Sequence, residues 1–192
     1  MKVIGLTGGI ATGKSTVVRY IINRGYKVID ADTVAREVVE VGQPALADLV
    51  HVFGESILTQ EGALHRKRLG KLMFSDVTTR QTVNAILHPY IFDSIRIQRE
   101  QSQDKVLFID MPLLFEVGYE QQVDEVWLVY VPHSIQLTRL MKRDGLSEEE
   151  AQQRIKAQWP VERKRAFANL TIDNSGTIDA TYRQVEQALA RL

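Results

Sequence analysis

The chain has 192 residues, of which 44% are hydrophobic, and its 24 basic residues balance 24 acidic ones. A formal charge of zero excludes a global field that would recruit nucleic acid or an anionic membrane, and the absence of cysteine excludes disulfides, thiolate catalysis and cysteine-ligated metal centres. No apolar run approaches the roughly 20 residues that span a bilayer, and no signal-peptide pattern is present. We therefore expect a cytoplasmic protein without a membrane, nucleic-acid or obligate protein partner.

The first predicted elements are a strand, a glycine-rich loop and a helix. Residues 2–7 are short, apolar and β-branched, as expected of a buried strand. Residues 8–15 then match the phosphate-loop pattern G-x-x-x-x-G-K-[ST] at every fixed position, namely Gly8, Gly13, Lys14 and Ser15. In such a loop the backbone N–H groups and the lysine contact phosphates, while the serine hydroxyl joins the coordination shell of Mg²⁺. The sequence therefore predicts a nucleoside triphosphate site.

Four further strand candidates alternate with helical stretches along the chain. They are residues 27–30, 105–110, 126–131 and 170–173. This alternation predicts an α/β fold with a parallel sheet that is flanked by helices, and we expect one domain over residues 1–192. Ligands of such sheets bind at the carboxyl ends of the strands, so the phosphate loop should lie near Asp30, Asp32 and Asp110.

The aspartates at these strand ends admit more than one interpretation. Asp32 can orient or deprotonate an attacking hydroxyl while Asp30 helps to hold the substrate or the metal environment. Alternatively, Asp32 caps the helix predicted over residues 33–39. Asp110 is expected to hold Mg²⁺, partly through water, although an aspartate at that position is also common in turns. The apolar residues after it either line a substrate pocket or belong to the core.

Two stretches are longer than simple crossovers require. Residues 37–103 are predicted to form a helical substrate-binding subdomain, in which His88 before Pro89 marks a helix boundary and either contacts substrate or is structural. Residues 139–163 are predicted to form a lid, with helices that begin near Pro132 and Ser147. Arg139 or Arg143 can stabilise the transferred phosphoryl group, or each is a solvated arginine paired with an acidic neighbour.

Five segments together resemble dephospho-CoA kinase, and they span most of the chain in the expected order. They are residues 5–16, Asp30-Ala31-Asp32, His88-Pro89, the run 110–116 (DMPLLFE) and the run 154–158 (RIKAQ). The resemblance implies a P-loop kinase fold. It also implies Mg²⁺-dependent transfer of the γ-phosphoryl group of ATP to the ribose 3′-hydroxyl of dephospho-CoA, which gives CoA and ADP in the last step of coenzyme A biosynthesis.

The resemblance further implies residue roles. Asp32 looks like the carboxylate that receives or orients the 3′-hydroxyl. The residues implied to bind ATP are Gly8, Ala11, Thr12, Gly13, Lys14, Ser15 and Thr16. Those implied on the dephospho-CoA side are Arg36, His88, Pro112, Leu113, Leu114 and Phe115. Those implied at the lid and its base are Arg139, Arg143, Arg154 and Gln158. Two positions depart from the family pattern: Asn169 stands where an acidic residue is usual, and Trp159 replaces a commoner methionine-like residue, with packing as its expected role.

Two rival functions fit parts of the pattern. Another small P-loop kinase, with a nucleoside or nucleotide acceptor, would use the same loop, arginines and aspartates. A nucleotide-switched binding protein would share only the phosphate loop and would signal by loop ordering. The sequence has no guanine-specificity segment of the form Asn-Lys-x-Asp, which favours a kinase over a switch.

Overall fold

A five-stranded parallel sheet organises the fold in this computed structural model, which describes residues 1–192. The strands are β1 (Lys2–Gly8), β2 (Lys27–Asp30), β3 (Val106–Asp110), β4 (Glu125–Tyr130) and β5 (Leu170–Asp173). Their order across the sheet is β2-β3-β1-β4-β5, with β1 paired in parallel to both β3 and β4. The predicted parallel sheet is confirmed, and every strand boundary lies within one residue of the prediction.

Nine α-helices connect or follow the strands. They are α1 (Lys14–Asn23), α2 (Ala31–Glu37), α3 (Pro44–Phe53), α4 (Arg66–Ser75), α5 (Val77–Glu100), α6 (His133–Asp144), α7 (Glu148–Lys156), α8 (Val161–Phe167) and α9 (Ile178–Leu189). The helices predicted to begin near Pro132 and Ser147 do so, because Pro132 is the N-cap of α6 and Ser147 forms a reciprocal capping box with Glu150 at the start of α7. None of the helices combines the length and apolar character needed to span a bilayer.

The chain divides into two compact units. The first unit comprises Met1–Ile29 and Gln103–Leu192, and the second comprises Asp30–Ser102. Each unit has its own buried apolar cluster, as expected of a segment that folds around its own core.

The main core of the first unit lies where α1 and α9 pack on the sheet. Trp127 of β4 is 1% exposed, as predicted, and its ring meets Phe108 of β3 edge to face at 5.3 Å. The remaining buried members of this cluster are Ile4, Leu6, Val17, Ile21, Val129, Ile172, Val185, Ala188 and Leu189. Each large apolar side chain buried in this way contributes about 1.5–3 kcal/mol, so the sheet and these two helices form a rigid base under the phosphate loop.

A separate small cluster joins α6 and α7. Leu140, Ala151 and Ile155 are buried together, and Ile10 and Ala11 of the phosphate loop pack against them. The segment that carries the predicted lid cations is therefore anchored directly to the loop.

Helices α2 to α5 make up the second unit. Its core lies among α3, α4 and α5 and consists of the buried residues Val39, Ala45, Leu49, Ile57, Leu69 and Val83. Short 3₁₀ turns complete the fold at Glu55–Ile57 here and at Tyr119–Gln122 in the first unit.

The helix boundary predicted at His88-Pro89 is wrong. Helix α5 runs without interruption through Pro89, from Val77 to Glu100. A proline inside a helix removes a hydrogen bond and costs about 3 kcal/mol. Packing on both sides of it opposes that cost, because Val83 and Ile95 are fully buried. Tertiary packing therefore overrides the local preference.

Candidate active site

The phosphate loop adopts a conformation that suits glycine at its final turn. Gly13, the N-cap of α1, has φ 86° and ψ 21°, and Ala11 also has a positive φ of 59°. Any side chain at Gly13 would overlap the amide of Asn174. Gly13 is therefore required both for its left-handed backbone and for the close approach of a neighbouring side chain.

Buried amides hold the backbone carbonyls of the loop. The Asn174 Nδ2 group donates to the Thr12 carbonyl at 2.8 Å, and Asn174 Oδ1 accepts a hydrogen bond from the Thr181 hydroxyl at 2.8 Å. The Gln136 Nε2 group donates to the Ile10 carbonyl at 2.9 Å. Because these carbonyls are satisfied from outside the loop, its shape is fixed before any nucleotide arrives.

The side chain of Gln158 lies on the phosphate loop in this structure. Its Oε1 accepts a hydrogen bond from the Ile10 N–H at 2.9 Å. The residue follows α7 closely in the chain, so this contact ties the end of the predicted lid to the loop. Its implied place at the lid base stays a prediction.

Lys14 and Asp110 form an ion pair at the ends of β1 and β3. Their Nζ and Oδ1 atoms are in direct contact, and the side chains are only 15% and 11% exposed. Register explains the meeting, because Asp110 is paired with Leu6 across the two parallel strands. The pair places a lysine charge and a carboxylate together at the loop, as the sequence predicted for residues near the strand ends.

The oxygen donors near the loop suit Mg²⁺. Ser15 is exposed in the first turn of α1, and Asp110 supplies a carboxylate. Hydroxyl and carboxylate oxygens are the hard ligands that this ion takes, and it commonly keeps several waters and binds substrate phosphates. The structure has no group of three or more His, Cys, Asp or Glu that could hold a metal, so the other ligands would come from nucleotide and water.

Three of the arginines in the predicted lid, Arg139, Arg143 and Arg154, have different surroundings. The Arg139 guanidinium is half-buried and donates to the Asn174 carbonyl at 2.9 Å, beside the phosphate loop. Arg143 and Arg154 both pair with Asp144, at 2.7 and 2.9 Å, and their side chains are 55% and 52% exposed. The alternative of a solvated arginine paired with an acidic neighbour therefore describes Arg143 and not Arg139.

The run after Asp110 is mostly core. Leu114 is fully buried and Phe115 is 6% exposed, whereas Leu113 is 40% exposed. The Phe115 ring lies parallel to the Trp159 ring at 6.2 Å. Trp159 therefore has the packing role expected of it, and within residues 112–115 only Pro112 and Leu113 keep appreciable exposure.

In the second unit, Asp30 rather than Asp32 caps α2. The Asp30 carboxylate accepts hydrogen bonds from the Asp32 N–H at 2.9 Å and from the Thr33 hydroxyl at 2.8 Å. The interpretation of Asp32 as a helix cap is therefore wrong. Its carboxylate is exposed in the first turn of α2, and Arg36 is exposed one turn further along.

His88 lies on α5, where its ring stacks on Phe92 with centroids 5.5 Å apart. Burial lowers the pKa of His88. The imidazole is therefore neutral at pH 7, which fits either a structural histidine or an uncharged contact to a ligand.

Several residues that shape the site were not predicted from the sequence. They are Gln136, Lys164, Asn174 and Thr181, all buried and all hydrogen-bonded to residues near the loop or β3. Each occupies a position that periodicity would assign to an ordinary helix face or strand end. Gln136 and Lys164 are polar residues on the buried faces of their helices, and this pattern could have indicated a role in the site.

Comparisons with known proteins support the resemblance. The family model described as CoaE, dephospho-CoA kinase, matches residues 2–180. The chain is 50% identical over 191 residues to a dephospho-CoA kinase of Shouchella clausii, covering 98% of this chain and 97% of the relative. It is 48% identical over 190 residues to the dephospho-CoA kinase of Enterococcus faecalis, covering 98% and 96%.

Solved structures give the same result. A Thermus thermophilus protein designated TT1252 superposes with a TM-score of 0.86 at 34% identity, covering 100% of this chain and 97% of the other. The dephospho-CoA kinase of Campylobacter jejuni gives 0.75 at 28% identity, with the same coverage. Shikimate kinase of Aquifex aeolicus, at 0.53 and 12% identity over 98% and 96%, shares the fold alone. These similarities confirm the predicted P-loop kinase fold, and the chain belongs to the dephospho-CoA kinase family.

Proposed function

We propose that this protein transfers the γ-phosphoryl group of ATP to the ribose 3′-hydroxyl of dephospho-CoA, giving CoA and ADP. The observation that carries the proposal is a preformed phosphate loop in a member of this kinase family. A buried amide holds the loop backbone, and Lys14 of the loop pairs with Asp110. Phosphoryl transfer needs positioning and charge stabilisation rather than covalent catalysis, and the loop supplies both. The cytoplasm is the compartment proposed for the reaction.

The proposed ATP-binding residues act through backbone and charge. Gly8 and residues 11–16 are proposed to form the phosphate site. The Thr12 and Thr16 N–H groups already donate to the Gly9 and Gly13 carbonyls, so other backbone N–H groups of the loop donate to the phosphates. The Lys14 ammonium exchanges its contact with Asp110 for one with phosphate oxygens. When bound by Ser15, Asp110 and the nucleotide, Mg²⁺ neutralises charge on the phosphates. Arg139 is the arginine that we assign to the transferred phosphoryl group, because its guanidinium already lies beside the loop.

Asp32 is the residue that we assign to the acceptor hydroxyl. Since Asp30 satisfies the end of α2, the Asp32 carboxylate is available to accept the hydroxyl proton or to orient the hydroxyl for attack. Such a group contributes typically about 10²–10⁴-fold to the rate.

The remaining predicted residues are assigned to acceptor binding and closure. Residues 37–103 are proposed to supply the substrate-binding helices. The contacts proposed for dephospho-CoA come from Asp30, Arg36, His88, Pro112, Leu113, Arg154 and Gln158, with Leu114 and Phe115 supporting them from the core. Residues 139–163 are proposed as the lid, in which Arg143 and Arg154 can exchange the Asp144 carboxylate for substrate phosphates because the pairs are exposed.

The first test measures ADP formation from ATP and Mg²⁺ with and without dephospho-CoA, and identifies the product by mass. We expect acceptor-dependent ADP release and a product phosphorylated at the 3′ position. ADP release that is independent of dephospho-CoA, in folded protein that binds ATP, would contradict the proposal and would direct the search to nucleoside or nucleotide acceptors.

A second test addresses Asp32. The substitution Asp32→Asn keeps the size of the side chain but removes its basicity, so we expect turnover to fall by about 10²-fold or more while the affinity for ATP stays within about threefold. Glu37→Gln, an exposed carboxylate on the same helix, is the matched control and should retain turnover. Near-normal turnover of Asp32→Asn would refute the assigned role.

A further inference from the structure

Lys164 is a fully buried lysine outside the recognised phosphate-loop motif. It lies on α8, and its side chain is 0% exposed. A buried ammonium group is costly unless it is paired and hydrogen-bonded. Its Nζ atom lies 2.8 Å from the Pro112 carbonyl oxygen and 2.8 Å from Glu116 Oε1. Burial lowers the pKa of Lys164, and Glu116 opposes that shift by favouring the charged form.

Both contacts of Lys164 fall on the segment that leaves β3. Pro112 comes two residues after Asp110, the partner of Lys14. Its carbonyl also accepts a hydrogen bond from the buried Thr7 hydroxyl at 3.1 Å. Two donors, one from β1 and one from α8, therefore fix the backbone immediately after the strand-end carboxylate.

Glu116 extends this connection to the end of the predicted lid. Its Oε1 accepts a hydrogen bond from the Trp159 N–H at 2.9 Å as well as the contact from Lys164. Trp159 follows Gln158, whose side chain contacts the loop at Ile10. The buried pair thus joins the strand end, α8 and the segment after α7.

We propose that Lys164 is a positioning residue for phosphoryl transfer. Lys164 and Thr7 both donate hydrogen bonds to the Pro112 carbonyl, and so they hold the backbone that follows Asp110. This keeps the Asp110 carboxylate in place when Lys14 leaves it to contact the nucleotide phosphates. The inference rests on the proposed function, because it concerns the geometry of the same transfer.

The charge of Lys164 argues against a purely space-filling role. Well-packed apolar residues can replace a buried ion pair without loss of stability, and often with a gain. Lys14 also acts on Lys164 electrostatically, and its charge contributes to lowering the pKa of Lys164. Two lysines and two carboxylates therefore share one region, and before nucleotide binds a fixed arrangement keeps Lys14 with Asp110 and Lys164 with Glu116.

The test separates positioning from stability with two variants. Lys164→Met removes the charge and the donor but keeps the length, and it leaves the Glu116 carboxylate buried without its partner. The double variant with Glu116→Gln removes that stranded charge, so its unfolding midpoint should recover toward wild type. Turnover should nevertheless stay about 10- to 100-fold low in both, since a misplacement of about 1 Å can cost 10²-fold.

One control variant and two measurements of ATP affinity accompany the test. Val185→Ala truncates a buried core residue of α9 and should lower the unfolding midpoint while leaving turnover of the folded enzyme within about threefold of wild type. Affinity for ATP without Mg²⁺, measured by direct titration, should be unchanged in the Lys164 variants, because the loop amides are intact. Affinity with Mg²⁺ should fall by about threefold or more.

Recovery of turnover together with stability in the double variant would overturn the proposal. If neither variant folds, Thr7→Val decides, because it removes the other donor to the same carbonyl: we expect turnover to fall about threefold or more, and wild-type turnover would overturn the inference. Failure of the proposed function would look different, since the wild-type protein itself would then show no dephospho-CoA-dependent ADP release.

Discussion

The phosphate loop and the α6–α7 segment both carry cations, but they hold them in different ways. Around the loop, Asn174, Thr181 and Thr12 are buried, and Lys14 pairs with a carboxylate that is 11% exposed. On α6 and α7, Arg143 and Arg154 share Asp144 at the surface, with about half of each arginine side chain exposed.

The difference separates fixed geometry from exchangeable contacts. A buried hydrogen-bond network is costly to break, because each orphaned group loses its partner without regaining water. An exposed ion pair contributes little and is screened by salt. The conformation of the loop is therefore fixed before nucleotide binds, whereas the surface arginines can change partners at a small cost in free energy. Arg139 combines features of both groups: it lies on α6, like Arg143, but it donates a hydrogen bond to Asn174 of the buried network.

The largest effect should come from the loop. Lys14→Ala removes the ammonium group that stabilises the phosphates and leaves Asp110 without this cation, so we expect turnover to fall by about 10³-fold. ADP release with saturating ATP and dephospho-CoA measures it. Lys142→Ala, an exposed lysine on α6, is the matched control, and a similar loss in both variants would contradict a specific role for Lys14.

The two arginines of α6 test this difference within one helix. We expect Arg139→Ala to lower turnover by about 10²-fold, because a cation beside the transferred group stabilises its developing charge. Arg143→Ala should lower turnover by no more than about threefold, because its guanidinium is exposed and an exposed ionic contact, whether with Asp144 or with a substrate phosphate, contributes little. The measurement is turnover at saturating ATP, and the reverse order of effects would transfer the phosphoryl role to Arg143.

A moderate loss of stability should follow disruption of the buried network. Asn174→Ala removes the side-chain donor to the Thr12 carbonyl and the shorter of the two hydrogen bonds that the Thr181 hydroxyl donates, so we expect the free energy of unfolding to fall by about 1–3 kcal/mol. Chemical denaturation measures the loss. Ser175→Ala, the adjacent half-buried residue, should change it little, and equal effects of the two substitutions would argue against the network.

The smallest effect should come from the exposed pairs. The Arg143 guanidinium, with help from Arg154, lowers the pKa of Asp144. A lowered carboxyl pKa adds stability above the unfolded value of about 3.8 and loses it as the pH falls through the folded pKa. Asp144→Asn should therefore shift the unfolding midpoint at pH 7 by no more than about 2 °C, and the difference from wild type should vanish near pH 2. A large shift that persists at that pH would show a role other than charge pairing.

Local sequence patterns were enough to predict much of the fold and part of the site. The strand boundaries, the starts of α6 and α7, and the phosphate loop followed from apolar runs, caps and glycine spacing, because each depends on residues adjacent in the chain. The helix boundary predicted at Pro89 was wrong because it also relied on local preference alone. Buried contacts on either side of the proline outweigh that preference. The capping role of Asp30, and not Asp32, needed the backbone geometry at the end of β2.

The class of fold, the phosphate-binding chemistry and the family therefore follow from the amino-acid sequence alone, because these are encoded in short motifs whose backbone requirements are local. The polar groups that complete the site depend on tertiary packing. Lys14 meets Asp110 through strand register, Asn174 reaches Thr12 across 162 residues of sequence, and Lys164 reaches Pro112 across 52. Contacts over such separations depend on how the strands and helices pack, and a single sequence contains no local pattern that specifies them.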